Sequence, residues 1–249
     1  MNPESAAPSV TLRQGTVLGV QLNSEFPNVV NAFLGVPYAL PPVDDLRFRL
    51  PVKVATSTKI IDASKCGPAA PGKDLLIGGL KIEKNEDCLT ANIFQPVTNH
   101  KKLPVALYVH GGAFNRGSAS MHDTASMVAW SEEPFIAVSF GYRLGALGFL
   151  PSALSKKEGI LNLGLHDQIL LFQWVQENIE AFGGDPGNVT LIGLSAGAHS
   201  IGHHLLNYAE HRKPLFHRVI IESGSPTSRA VRPYDAKVHE QQFQDFLRE

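Results

Sequence analysis

The chain has 249 residues, 43% of them apolar and 18% charged, which suffices for a substantial core and excludes wholesale disorder. Lys and Arg (22) balance Asp and Glu (23) to a net charge of −1, so no polyanion-binding surface and no nucleic-acid partner are expected. Two cysteines exclude a disulfide scaffold and a four-cysteine zinc site, and neither a metal nor a cofactor is expected. No stretch approaches the ~18 apolar residues of a membrane span. Met1 to Val10 shows neither the basic start nor the apolar core of a signal peptide, so a cytoplasmic location is expected over secretion.

In chain order, Ser9 to Leu22 alternates apolar and polar residues around Gly15 and Gly19, which predicts an antiparallel hairpin. Val29 to Ala39 is a second extended run, closed by Pro37 and the Pro41-Pro42 pair. Gly67 to Leu80 is rich in Gly, Ala and Pro and reads as a surface loop. Pro104–Val109, Phe135–Phe140, Val189–Gly193 and Val219–Ile221 are short runs apolar on both faces, the pattern of buried parallel strands. Between them Leu165, Ile169, Phe172, Val175 and Ile179 keep helical spacing until Gly183-Gly184 stops the helix. A last helix is expected over Val238–Arg248. Strand and helix alternate, so the expected fold is α/β, with a mostly parallel sheet and the N-terminal segments as its antiparallel edge.

Gly193-Leu194-Ser195-Ala196-Gly197 matches G-x-S-x-G between a predicted strand and a predicted helix. A strand turning that sharply into a helix strains the serine backbone and needs small neighbours, and it leaves the hydroxyl standing clear of the sheet. The helix behind it favours negative charge at its N-terminus. His110-Gly111-Gly112-Ala113-Phe114 ends the first apolar run, where small residues let backbone N–H groups face an oxyanion. The two elements in this order point to acyl transfer.

The sequence resembles the type-B carboxylesterase family, the group of cholinesterases, related fungal lipases and bacterial nitrobenzyl esterases. The resemblance runs from about Thr11 to Ser225. It is carried by Phe182–Gly197, by Glu86-Asp87-Cys88-Leu89-Thr90-Ala91-Asn92-Ile93, by Phe33–Ala39, by Arg47-Phe48 and by Asn162–Gln168. It implies an α/β-hydrolase fold with Ser195 as nucleophile and the backbone N–H groups of Gly112, Ala113 and Ala196 as oxyanion hole. Many relatives have Glu before the nucleophile, where this chain has Leu194, which argues for an uncharged ester over a choline ester. The resemblance also implies two buried ion pairs, Arg143 with Asp167 and Arg47 with Glu86. It further implies a candidate disulfide between Cys66 and Cys88, closing a loop of 21 residues, worth on the order of 3 kcal/mol if closed in an oxidising compartment; with no signal peptide visible, reduced thiols are the alternative. That loop is also where a lipase lid would lie. The sequon Asn188-Val189-Thr190 leads into a predicted strand and is expected to go unused.

A serine esterase of this fold needs an acid and then a histidine after the nucleophile. Only 54 residues follow Ser195, and one helix, one strand and the last helix consume them. His199, His203, His204, His211, His217 and His239 are the downstream histidines. Glu222, Asp235 and His239 have the required order but no expected strand-end geometry, and His110 is a remote surrogate base. The acid and histidine of a triad are therefore not found, and family members are about twice as long. The expectation is a single shortened domain over residues 1–249, lacking the C-terminal strands. Its function is that of a serine ester hydrolase acting on a small-molecule ester, or, alternatively, of an inactive relative or binding module. The strand at Val219–Ile221 would then be an exposed sheet edge prone to self-association.

Overall fold

The structure is a computed structural model and describes residues 7–23, 26–74, 82–207, 213–227 and 232–248. Its strands are β1 (Ser9–Leu12), β2 (Gly15–Leu18), β3 (Val20–Leu22), β4 (Val30–Pro37), β5 (Ile60–Asp62), β6 (Thr90–Pro96), β7 (Leu103–Val109), β8 (Ile136–Phe140), β9 (Gly184–Leu194) and β10 (Arg218–Glu222). The helices are α1 (Thr124–Ala129), α2 (Gly145–Gly148), α3 (Ala153–Lys157), α4 (Leu163–Asn178), α5 (Ala196–Leu206) and α6 (Lys237–Phe246).

The predicted hairpin forms over Ser9–Leu18 only, as β1 against β2, and with β5 in parallel it makes a small separate sheet instead of the edge of the main one, which Val20–Leu22 joins as β3. The main sheet has seven strands in the order β10-β9-β7-β8-β6-β4-β3. Pairings from β10 through β8 are parallel and those from β8 through β3 antiparallel, so the parallel character is confined to β7–β10. The four apolar runs read from the sequence are the four parallel strands. The antiparallel half extends one strand further than the sequence reading, because Ala91–Phe94 of β6 pair antiparallel with β8. The Gly67–Leu80 loop is only partly a surface feature. Ala69 and Ala70 are buried, while residues 75–80 lie outside the described residues.

The apolar stripe of α4 supplies the layer behind the parallel strands. Leu171, Phe172, Trp174 and Val175 are buried against Leu107, Ile136 and Leu191 in one continuous core. Ile179 and Phe182 extend it through a short 3-10 turn, and Gly183 at φ 85° ends the turn in the left-handed region. That region suits glycine because there is no Cβ to clash. β9 then runs from this turn to the residue before Ser195, placing the nucleophile candidate at the C-terminal edge of the parallel strands, where open α/β sheets bind ligands.

Candidate active site

Ser195 is the N-cap of α5 at φ 55° and ψ −115°, the strained strand-to-helix corner that the five-residue motif predicts. A non-glycine residue there costs on the order of 1–3 kcal/mol and persists only where its surroundings over-determine it. Here they do. The Ser195 N–H donates to the carbonyl of Glu222 at 2.8 Å, and its carbonyl accepts the His199 N–H at 2.9 Å. Chain passes close on every side: a Cβ on Gly193 would lie 2.6 Å from the Gly197 carbonyl carbon, and one on Gly197 would lie 2.0 Å from the Val109 carbonyl oxygen. Gly224 closes over the corner, where a Cβ would meet Ala198 Cβ at 2.7 Å and the Ser195 carbonyl oxygen at 3.1 Å. Ser195 itself is half-buried.

The glycine loop after β7 lies directly beside this corner. A Cβ on Gly111 would be 3.3 Å from Ser195 Cβ and 2.6 Å from the Leu194 carbonyl oxygen. Gly112 at φ 116° and Ala113 at φ 54° both take left-handed backbone. The Gly112 carbonyl accepts N–H groups from Asn115 and Arg116, both at 3.1 Å. The Phe114 carbonyl accepts from Gly145 at 2.7 Å, and the Asn115 carbonyl from Lys73 at 2.7 Å. The loop is thus shaped in advance. The N–H groups of Gly112, Ala113 and Ala196 donate to no other backbone carbonyl among the described residues.

His110 is a wall of this loop. Its buried ring stacks on Tyr142 with centroids 4.3 Å apart, and Nδ1 donates to the Gly111 carbonyl at 2.8 Å. The Tyr142 hydroxyl donates to the His110 carbonyl at 2.8 Å. Burial pushes the His110 ring down to about 4, so it is neutral at ordinary pH. The sequence reading did not single out Tyr142, nor the Glu222 carbonyl and Gly224 that brace Ser195. The Ser223-Gly224-Ser225 turn signal straight after a strand was the one available clue.

The downstream histidines fall elsewhere. His199 sits one helical turn beyond Ser195 and meets it through the backbone. His203, His204 and His239, with His166, line a cavity of about 780 Å³ between α4, α5 and α6, and Ser195 is not in its lining. The His204 ring, held down to about 4 by burial, shares a 2.7 Å hydrogen bond between Nε2 and Gln168 Oε1. His217 accepts the Val189 N–H on Nδ1 at 3.2 Å, near the opposite end of the sheet. Asp235 and the Glu222 side chain are exposed, and His211 lies outside the described residues. No histidine or carboxylate hydrogen-bonds the Ser195 hydroxyl among the described residues. No group of three His, Cys, Asp or Glu suited to a metal occurs among them either.

The two expected ion pairs differ in setting. Arg143 and Asp167 are buried and paired bidentately, Nε to Oδ2 at 2.9 Å and Nη2 to Oδ1 at 2.6 Å; the Arg143 N–H adds a third bond at 3.0 Å. Burial raises the Asp167 carboxyl from its ordinary value, and these three donors oppose that rise. Arg47 and Glu86 also pair bidentately, at 2.6 and 2.7 Å, but at the surface, which corrects the expectation of burial: the arginine side chain is 42% exposed. Cys66 and Cys88 are unbonded, Cys66 exposed and Cys88 fully buried, with the Cys88 thiol pushed up to about 12 by its burial. Asn188 of the sequon lies within β9 and accepts from Arg218 Nη1 at 2.5 Å.

A strained serine between a β-strand and a helix, beside a glycine loop and on a sheet of this order, defines an α/β-hydrolase fold. The chain matches the profile of the Carboxylesterase family over residues 6–248, and it belongs to that family. It is 40% identical over 240 residues to Secreted lipase 4 of Gibberella zeae, covering 93% of this chain and 43% of the relative. It is 40% identical to the para-nitrobenzyl esterase of Bacillus subtilis (87% of this chain, 43% of the relative) and 38% identical to the acetylcholinesterase of Gallus gallus (88% and 30%). Among solved structures it superposes on a thermophilic PNB esterase with a TM-score of 0.82 at 36% identity, covering 97% of this chain and 48% of that one. The chain spans less than half the length of these relatives.

Proposed function

We propose that this chain carries the nucleophile and oxyanion-binding part of a serine carboxylic-ester hydrolase. The observation that carries the reading is the positive-φ Ser195 held against Gly111 of the glycine loop. In this reading the Ser195 Oγ attacks the ester carbonyl and forms an acyl-enzyme, with its proton passing to a base and then to the leaving alcohol. The N–H groups of Gly112, Ala113 and Ala196 receive the negative charge of the tetrahedral intermediate, a contribution of about 3 kcal/mol per donor in related chemistry. Water then releases the acid. Leu194 beside the nucleophile supplies no charge for a cationic substrate, so the substrate class is an uncharged ester.

A second reading, an inactive relative or a binding module, is favoured by one observation: no base meets the Ser195 hydroxyl among the described residues. Fluorophosphonate labelling and hydrolysis of short p-nitrophenyl esters, run on the chain and on Ser195→Ala, separate the two. Labelling and turnover lost on substitution support the hydrolase. Equal background in both proteins refutes it in favour of the second.

A further inference from the structure

Three polar side chains between α4 and α5 form a continuous hydrogen-bonded chain that ends at the nucleophile corner. The His204 ring shares a 2.7 Å bond between Nε2 and Gln168 Oε1, and Gln168 Nε2 donates to Ser200 Oγ at 3.1 Å. Ser200 Oγ donates in turn to the carbonyl of Ala196 at 2.9 Å. Gln168 and Ser200 are wholly buried. Burying such groups is costly unless each is satisfied, and apolar residues of similar size would fill the space with nothing to satisfy. Packing alone does not call for such a chain.

Its polarity is fixed from the Ala196 end. Ser200 has one hydroxyl proton, committed to the Ala196 carbonyl, so it faces Gln168 as an acceptor. The Gln168 amide then presents its NH2 to Ser200 and its oxygen to His204, which makes His204 Nε2 a donor. Burial holds this ring down to about 4, so at neutral pH it carries a single proton, and that proton sits on Nε2. A hydroxyl that accepts one bond donates more strongly, so Gln168 tightens the hold of Ser200 on Ala196.

The Ala196 N–H shares its peptide with the Ser195 carbonyl, which accepts the His199 N–H at 2.9 Å. The first turn of α5 is thus held at successive carbonyls, Ser195 by backbone and Ala196 by a side chain. The turn of α4 that supplies Gln168 also supplies Asp167, whose carboxylate binds the Arg143 guanidinium and N–H. Arg143 follows Tyr142, whose hydroxyl holds the His110 carbonyl at 2.8 Å, at the start of the glycine loop. One turn of α4 therefore braces both sides of the corner.

We propose that Gln168, oriented by His204 and acting through Ser200, is a positioning residue that fixes Ala196 in the first turn of α5. The proposal rests on the hydrolase reading only for the use made of the Ala196 N–H.

Amide hydrogen exchange followed by NMR tests it on the full chain and on Ser200→Ala, Gln168→Met, His204→Phe and His204→Gln. Ser200→Ala and Gln168→Met are expected to speed exchange of the His199 amide about fivefold or more, as for one hydrogen bond lost from that turn, with β9 amides unchanged. His204→Phe should act in the same direction, because Gln168 loses the donor that orients it. His204→Gln supplies an amide donor and is expected to restore the slow rate, although Phe better matches a ring packed 5.0 Å from Phe172. Ring-nitrogen shifts of His204 should show the Nε2–H tautomer. The Nδ1–H tautomer overturns the proposal. So do rates that stay level or rise equally in β9, or a His199 amide better protected by Phe than by Gln at position 204. Fluorophosphonate labelling of Ser195 is expected to slow in the same order. If no protein is labelled, the hydrolase reading falls, and exchange alone decides the positioning.

Discussion

The amide of Ser195 donates to the carbonyl of Glu222 at 2.8 Å, so the tip of the elbow is tied to the last residue of the edge strand. The strained serine backbone is thus braced by a strand that pairs in parallel with β9. Around it, the close approaches are backbone against backbone, which makes the corner intolerant of added atoms.

Gly197→Ala should therefore cost about 3 kcal/mol or prevent folding, since its Cβ would sit 2.0 Å from the Val109 carbonyl oxygen and no side-chain movement relieves that contact. Gly187→Ala is the control. Its Cβ would meet only the Asp185 side chain, at 3.1 Å, which can turn away, and a loss of roughly 0.5 kcal/mol is expected. Urea unfolding of the two variants measures the contrast.

Asp167→Ala should destabilise by about 3–5 kcal/mol, because it strands the Arg143 guanidinium in the core. Glu86→Ala should cost at most about 1 kcal/mol, because Arg47 is solvated at the surface. Equal losses in thermal melts of the two variants would contradict this assignment.

Acid should unfold the chain earlier than its carboxylates alone require. The buried His110 ring titrates near 4 in the fold against 6.5 when free, so the unfolded chain binds the extra proton first. Its contribution is intact above pH 6.5, is lost progressively as pH falls toward about 4, and amounts to on the order of 3 kcal/mol. His204, also held near 4, steepens the same window. Denaturant unfolding measured at pH 7, 5.5 and 4.5 should show the decline, and a flat profile would refute it.

Under reducing conditions, iodoacetamide should alkylate Cys66 in the native chain and reach Cys88 only after denaturation. Cys66 is exposed, whereas Cys88 is fully buried with its thiol pushed up to about 12, so the reactive thiolate is scarce there. For the same reason, closure of a Cys66–Cys88 disulfide, which the family resemblance implies, should be slow in the folded chain. Mass spectrometry of alkylated peptides reads both outcomes.

Local pattern was enough for the elements and for the chemistry they present. The four apolar runs fit buried parallel strands, and a Gly-x-Ser-x-Gly between strand and helix admits few backbone paths, so Ser195 and the Gly111 loop were legible as neighbours. The Arg143–Asp167 and Arg47–Glu86 partnerships were legible too, but only through the family resemblance. What pairs with what at a distance, and how deeply, was not. Burial of Arg143–Asp167 against exposure of Arg47–Glu86 depends on how many other elements pack over each pair, and no local spacing encodes that number. The Ser195–Glu222 bond and the Tyr142–His110 stack likewise join segments 27 and 32 residues apart in the sequence. Such contacts exist only once the sheet order has brought β10 beside β9 and β8 beside β7.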